Sequence, residues 1–213
     1  MVVARDKREG PGYALEAAFA RRLGGPVAGI DESGRGPWAG PVVTAAVVLD
    51  PQAIPHGIDD CKLLDPGMRA RLYDVIVTRH QVAVGVGDVE RIDRDNILQA
   101  TLWAMAAALD ALPTPPAGAL VDGDHAPELA CPCRTVIGGD GLSLSIAAAS
   151  IVAKVTRDRL MEKLARAHPA YGWERNKGYG TRAHAEALER FGATPHHRRS
   201  FKPVAAVLAR EGA

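Results

Sequence analysis

What this chain lacks first is an excess of charge. It carries 26 Lys and Arg against 25 Asp and Glu, a formal net charge of +1 over 213 residues. Binding to a polyanion through bulk charge is thereby excluded, and any such binding has to come from how the charge is placed. Cysteine is scarce too. Three residues make no disulfide framework, and Cys131 with Cys133 form a lone C-x-C with no second pair behind it. Structural zinc needs four ligands, so the pair predicts reduced thiols in a cytosolic protein. Residues 1–10 (MVVARDKREG) hold no apolar stretch of the kind a secretory signal requires. No apolar run approaches the roughly 18 residues of a membrane span. The expectation is a soluble cytoplasmic chain without internal repeats, 47% hydrophobic and so able to build a core.

What is present alternates between strand and helix signals. Residues 11–23 (PGYALEAAFARRL) predict a short helix stopped by Gly24-Gly25. A buried strand is expected over 26–31 (PVAGID), ahead of the glycine-rich break SGRGPWAGP. The β-branched runs VVTAAVVLD (42–50) and QVAVGVGDV (81–89) predict two more. Asp65-Pro66 marks a helix start, with an acceptor at the N-cap and Pro at the first helical position. Asn96 with Gln99 opens a longer helix that stops at Pro113. GALVDG (118–123) and RTVIGGD (134–140) are read as short strands, each running into an acidic turn. The helix expected over 145–167 has an Ala-rich face that permits close packing on a sheet. Beyond Pro169 the chain becomes aromatic, Gly-rich and basic, with an amphipathic helix TRAHAEALERF and a basic tail HHRRSFK. Strands followed by strands alternating with helices predict an α/β domain.

In such sheets, ligand sites lie beyond the carboxyl ends of the parallel strands. Asp31, Asp122 and Asp140 each follow an apolar strand-like run. Two carboxylates about 4 Å apart repel by roughly 4 kcal/mol at an effective dielectric near 20. A fold that gathers several needs a cation among them, and oxygen-only ligands suit Mg²⁺ or Mn²⁺. Two such ions about 3.5–4 Å apart can serve both the attacking water and the leaving 3′ oxygen of a phosphodiester. Asp31, Glu32, Asp122 and Asp140 are the candidate metal ligands and catalytic acids. Neighbouring strand residues point to opposite faces, so Asp31 and Glu32 share a site only if the strand bends, and Ser33-Gly34 is the expected place.

The run from Gly29 to Val43 (GIDESGRGPWAGPVV) resembles the signature of bacterial ribonuclease HII, a type 2 ribonuclease H. The resemblance continues through Asp60-Cys61-Lys62, Ile92-Asp93, Asn96-Ile97, Val121-Asp122-Gly123 and Gly139-Asp140. It covers Ala148 to Val155, Arg157-Asp158, Lys177 to Thr181 and His197 to Phe201, nearly the whole chain after residue 26. It implies an RNase H-like fold, a central mixed five-stranded sheet flanked by helices. One domain over 1–213 is implied, with a catalytic core at 26–168 and a C-terminal helical nucleic-acid-binding segment at 169–213. It further implies a metal-dependent endonuclease, a monomer acting on RNA–DNA hybrids and on duplex DNA containing single ribonucleotides, away from membranes. Cleavage 5′ to the ribonucleotide would leave 5′-phosphate and 3′-hydroxyl ends, by a two-metal mechanism with Mn²⁺ or Mg²⁺.

The family's four acids map onto Asp31, Glu32, Asp122 and Asp140. Its 2′-hydroxyl reader maps onto Gly34, Arg35 and Gly36, and its junction-sensing tyrosine onto Tyr179. A 2′-hydroxyl is what separates RNA from DNA at one sugar, and glycines let backbone groups approach it. Lys62, Lys154, Lys177, Arg198 and Arg199 are candidate phosphate contacts. His184, His196 and His197 are expected to be exposed loop residues without a catalytic role. The chain departs from the family pattern at Cys61, Asp124 and Gly139, where Ser, Asn and Lys are frequent. A DNA-cutting resolvase or integrase-like nuclease of the same fold is the alternative, and a non-catalytic hybrid-binding protein a third possibility. Gly34-Arg35-Gly36 with Tyr179 speaks against the former, and retention of four mutually repelling acids against the latter.

Overall fold

The computed structural model describes residues 10–211. Five strands form one sheet in the order β3-β2-β1-β4-β5: β1 Val27–Ser33, β2 Val42–Val48, β3 Gln81–Gly87, β4 Gly118–Asp122 and β5 Cys133–Val136. β1, β2 and β3 pair antiparallel, whereas β4 lies parallel to β1 and β5 parallel to β4. The mixed sheet is the expected one.

Side chains of β2 show how the sheet makes two cores. Ala45 and Val47 point to one face, where they meet Ala148, Ile151 and Val152 of α5 (Leu144–Ala167) and Leu72 and Ile76 of α2 (Pro66–Arg79). Ala46 and Val48 point to the other, against Met105, Ala108 and Leu109 of α4 (Ile97–Asp110). The period-2 alternation of a strand, buried on both faces, requires this apolar run. α5 runs close along β1 because Gly29 has no Cβ: one built there would lie 2.1 Å from the Ser145 carbonyl carbon. α1 (Ala14–Leu23) covers the β1–β4 end with Phe19, against Val27, Leu120 and Ile146.

Helix starts follow the local chemistry of the sequence. Asp65 accepts from Met68 N–H ahead of Pro66, and Asn96 accepts from the N–H groups of Leu98 and Gln99. Each such cap is worth about 1 kcal/mol. Three helices were not anticipated: α3 (Val89–Asp95), α6 (Trp173–Asn176) and α8 (Lys202–Glu211). Val89 was assigned to a strand, but β3 stops at Gly87 because Asp88 caps α3 by accepting from Arg91 N–H. The basic tail runs into α8, whose Val204 and Val207 pack on Leu188 of α7 (Arg182–Phe191).

Two histidines expected on exposed loops are wholly buried, His184 and His197. His184 lies on α7 and donates from Nδ1 to the Tyr179 carbonyl (3.0 Å), so its Nε2 is left to accept from Trp173 Nε1 (3.2 Å). His197 Nε2 lies 3.1 Å from that same nitrogen, while its Nδ1 accepts from Thr194 N–H at 3.0 Å. Tautomers follow from these partners, and both rings are neutral. Burial first, then the neighbouring His184, pushes the His197 pKa down to about 3.

A folded-state pKa below the unfolded one stabilises above the unfolded value, near 6.5, and that stability is lost as pH falls toward 3. The loss approaches roughly 1.4 kcal/mol per pH unit, about 3–5 °C in Tm for a chain of this size. Melts between pH 7.5 and 4.5 should show this slope in the wild type and a shallower one in His197→Gln. Parallel slopes would remove His197 as the cause.

Candidate active site

One cavity of about 430 Å³ opens at the carboxyl ends of β1 and β4. Asp31, Glu32, Asp122 and Asp140 all line it, together with Ser33, Gly34, Cys61, Lys62, Ser150, Lys154 and Tyr179. Asp31 and Asp122, 91 positions apart in the chain, meet there because β1 and β4 are parallel neighbours, pairing Ile30 with Val121. The sheet thus delivers Asp31 and Asp122 side by side.

β1 keeps its register with β2 unbroken through Ser33, and the chain turns off at Gly34, at φ +99°, the place expected for a bend. Asp31 stands on the α5 side, where Ser150 hydrogen-bonds its carboxylate, and Glu32 stands on the other. Both reach the cavity because it lies off the strand's end rather than over one face. One other expectation about the backbone needs correcting: Asp140 does not end a strand. β5 stops at Val136, and Asp140 sits in a 3₁₀ turn, Gly139–Gly141, that leads into α5.

The charges at this cavity oppose their own burial. Asp31 is 4% exposed. Desolvation, then the charges of Glu32 and Asp122, hold its carboxyl well above the ordinary range, against hydrogen bonds from Ser150 and the Glu32 N–H. Burial also raises Glu32, though Arg35 at 3.5 Å works the other way. Asp122 is raised by burial and by Asp140, and lowered by the Gly139 N–H, which donates to its Oδ1 at 2.6 Å. Cations of the chain itself offset part of the strain. Lys62 Nζ lies 3.1 Å from Asp140, whose hydrogen bond and charge overcome the cost of burial and raise the lysine pKa. The Lys62 side chain is 76% exposed, so the pair contributes only about 0–1 kcal/mol.

Among the described residues, no three acidic, histidine or cysteine side chains are drawn together at metal-ligand spacing. The four acids share a cavity while Asp140 and Glu32 keep Lys62 and Arg35 as partners. The donor set nevertheless fits a hard divalent cation. It is all oxygen, it is half-buried or more, and its raised carboxyl pKa values mark a place where added positive charge is favoured.

Beside the acids, the glycine-arginine-glycine element and Tyr179 meet. A Cβ on Gly36 would lie 3.5 Å from Tyr179 Cε1. Tyr179 is 46% exposed and its ring borders the cavity. Gly34 is held at φ +99° directly over Arg157, whose Nε would lie 1.9 Å from an added Cβ, so only glycine fits there. Arg35 is exposed and turns toward Glu32.

The candidate phosphate contacts separate. Lys62 and Lys154 line the cavity, the latter paired with Asp158 at 2.8 Å. Lys177 is instead held by Glu162 at 2.6 Å, with a side chain only 16% exposed. Arg198 is wholly buried, and its guanidinium donates to the carbonyls of Gly40, Arg35 and Gly34. Arg199 is exposed. Ser150, bridging Asp31 and the Cys61 thiol (3.1 Å to the sulfur), was missed; its place in the Ala-rich run of α5 made it look like packing. Cys61 therefore faces inward as a partner of Ser150, while Asp124 is exposed beside His125. At Gly139 a Cβ would lie 2.6 Å from Ile146 Cδ1, so a lysine there would require the end of the buried Ile146 side chain to shift.

A family model described as Ribonuclease HII matches residues 28–204. A Ribonuclease HII of Nitrobacter hamburgensis is 57% identical over 203 residues, covering 95% of this chain and 76% of the relative. Among solved structures, the ribonuclease H2 of Pyrococcus horikoshii superposes with a TM-score of 0.73 at 29% identity, covering 87% of this chain and 98% of that one. Bst-RNase HIII in complex with Mn²⁺ shares the fold, with a TM-score of 0.68 at 22% identity, over 92% of this chain and 73% of that one. The architecture is an RNase H-like fold.

Removing one repelling charge tests the electrostatics of the cavity. Asp31→Asn keeps an acceptor for the Glu32 N–H and should raise the metal-free Tm, by about 2–4 °C for each 1 kcal/mol of relieved repulsion. Nuclease activity should vanish. Scanning calorimetry in EDTA reads the first effect, and a lowered Tm would mean that Asp31 is not under repulsion.

Proposed function

The chain belongs to the ribonuclease HII family, divalent-metal-dependent endoribonucleases acting on RNA–DNA hybrids, and from that premise we propose the finer activity: it cuts 5′ to single ribonucleotides embedded in duplex DNA, as well as along the RNA of hybrids, leaving 5′-phosphate and 3′-hydroxyl ends. The observation that carries this proposal is the closeness of Gly36 to the Tyr179 ring, which borders the four-acid cavity: a Cβ on Gly36 would lie 3.5 Å from Tyr179 Cε1. A reader of the 2′-hydroxyl and a reader of the following sugar are thus adjacent to the groups that do the cutting.

Asp31, Glu32, Asp122 and Asp140 are the residues that would hold Mn²⁺ or Mg²⁺. Two bound ions supply activation of the attacking water and neutralisation of the leaving 3′ oxygen. Ser150 keeps the Asp31 carboxylate turned into the cavity, and the Gly139 N–H does the same for Asp122. Amide groups of the Gly34–Gly36 loop address the 2′-hydroxyl, which both donates and accepts. The Tyr179 ring packs on the next sugar, where a deoxyribose leaves room for it. Lys62 and Lys154 take phosphates, Lys62 by leaving Asp140 as the substrate arrives. Residues 169–213 act with the core as one unit, tied to it where Asp93 accepts from the N–H groups of Arg199 and Ser200 at 2.9 Å. The active form is a monomer of the cytoplasm; among the described residues no helix is long and apolar enough to cross a membrane.

A duplex carrying one ribonucleotide, incubated with and without Mn²⁺, is the direct assay. Cleavage on its 5′ side, abolished by EDTA, is expected, and an all-DNA duplex should remain whole. Cutting of all-DNA substrate would favour the resolvase-like alternative. Tyr179→Ala should lower kcat at the single ribonucleotide more than it weakens binding, and equal losses would make Tyr179 a general contact. Ion binding is also readable without turnover: at a hundredfold excess over Kd it adds about 2.7 kcal/mol, roughly 5–10 °C in Tm. A Tm unchanged by Mn²⁺ would speak against a preformed site.

A further inference from the structure

Arg157 and Arg198 are wholly buried, and among the described residues neither guanidinium meets a carboxylate. All their hydrogen bonds go to main-chain carbonyls instead. Arg157 donates to Pro41 (3.0 Å), Lys177 (3.0 Å) and Ala39 (3.2 Å). Arg198 donates to Gly40 (2.9 Å), Arg35 (2.9 Å) and Gly34 (2.6 Å). These six acceptors belong to only two pieces of backbone: the segment from Gly34 to Pro41, and the turn that carries Tyr179. A buried cation is ordinarily matched by an anion, and here peptide dipoles take that place.

The choice of carbonyls has a geometric consequence. In a trans peptide the C=O and the following N–H point in opposite directions, and no cis peptide is present among the described residues. Turning the carbonyls of Gly34 and Arg35 down onto Arg198 therefore turns the N–H groups of Arg35 and Gly36 away from it. Among the described residues neither N–H meets an acceptor. They are free to donate outward. Arg157 meanwhile clamps Ala39 and Pro41 to Lys177, two residues before Tyr179. The Trp38 N–H, donating to the Gly178 carbonyl at 2.8 Å, reinforces the same junction.

We propose that Arg157 and Arg198 are positioning residues for recognition of the RNA–DNA junction. Their adjacent guanidinium groups hold the outward amides of Arg35 and Gly36 at a fixed spacing from the Tyr179 ring, and that spacing selects a ribonucleotide followed by a deoxyribose. The inference rests on the assignment of Gly34–Gly36 and Tyr179 to that junction. A planar fork serving three carbonyls at once is what arginine supplies and lysine does not.

Arg198→Lys and Arg157→Lys in the full chain test it, with the positive charge kept. The quantity to measure is the ratio of kcat/KM on a duplex with one embedded ribonucleotide to kcat/KM on a continuous RNA–DNA hybrid, in Mn²⁺. A tenfold or greater fall in that ratio is expected for each variant. Hydrogen exchange should quicken in residues 34–41 while β1 and α5 keep their protection. An unchanged ratio, or equal losses on both substrates, overturns the proposal. Tyr179→Ala separates the two levels of inference. If it leaves the ratio unchanged, the junction assignment fails and this proposal with it; if it lowers the ratio and the lysine variants do not, this proposal alone fails. Should neither lysine variant fold, the pair is an element of folding and its role in selectivity is overturned.

Discussion

Mutual repulsion among buried carboxylates is the constraint around which this molecule is built. Asp31, Glu32, Asp122 and Asp140 border one cavity, and desolvation makes their charges more costly to one another than they would be in water. Every group that relieves them comes from a different stretch of chain. Lys62 precedes α2, Ser150 lies within α5, the Gly139 amide sits in the turn after β5, and Arg35 follows β1. Only a sheet that sets β1 beside β4, with α5 packed tightly on Gly29, brings these groups to one place. The arrangement tolerates negative charge without cancelling it, and that residual charge is what suits the cavity to divalent cations.

On the other side of one short loop lies the opposite electrostatic problem. Arg157 and Arg198 are buried cations answered by backbone carbonyls, and each lowers in pKa, to about 10 and about 9, chiefly because it is desolvated. Gly34 lines the acidic cavity and also packs directly on the Arg157 guanidinium. The loop is thus a partition one peptide thick. Its carbonyls face the cations, which leaves the Arg35 and Gly36 amides turned away from them. The histidine pair extends the framework outward, since His184 holds the Tyr179 carbonyl and is itself held by Trp173 and His197.

Local chemistry in the sequence accounts for a large part of the architecture. Asp65-Pro66 and Asn96 place helix starts because short polar side chains satisfy free amides wherever they occur. β-branched runs at 42–50 and 81–89 announce two strands, and the Ala-rich helix announces close packing. The four acids were legible because they sit in motifs and follow apolar runs. Short helices escaped notice: α3 and α6 have seven and four residues, too few to show a period, and α8 begins in a segment dominated by basic residues.

The sequence by itself determined the five strands and the longer helices among them, the acids that are candidates for the site, and the family to which they point. Those features depend on side-chain types at short spacing, which a linear reading can see. Tertiary structure alone decided that Arg198 and Lys177 are structural rather than surface cations, that His184 and His197 are buried and neutral, and that Ser150 holds Asp31. It also decided that Asp140 enters from a turn and that β1 keeps its pairing with β2 through Ser33. A basic side chain, a histidine or a serine has the same local signature whether it meets water or, as Arg198 does, a carbonyl 158 residues away. Its role is set by desolvation and by the partner that folding delivers, neither of which is written near it in the chain.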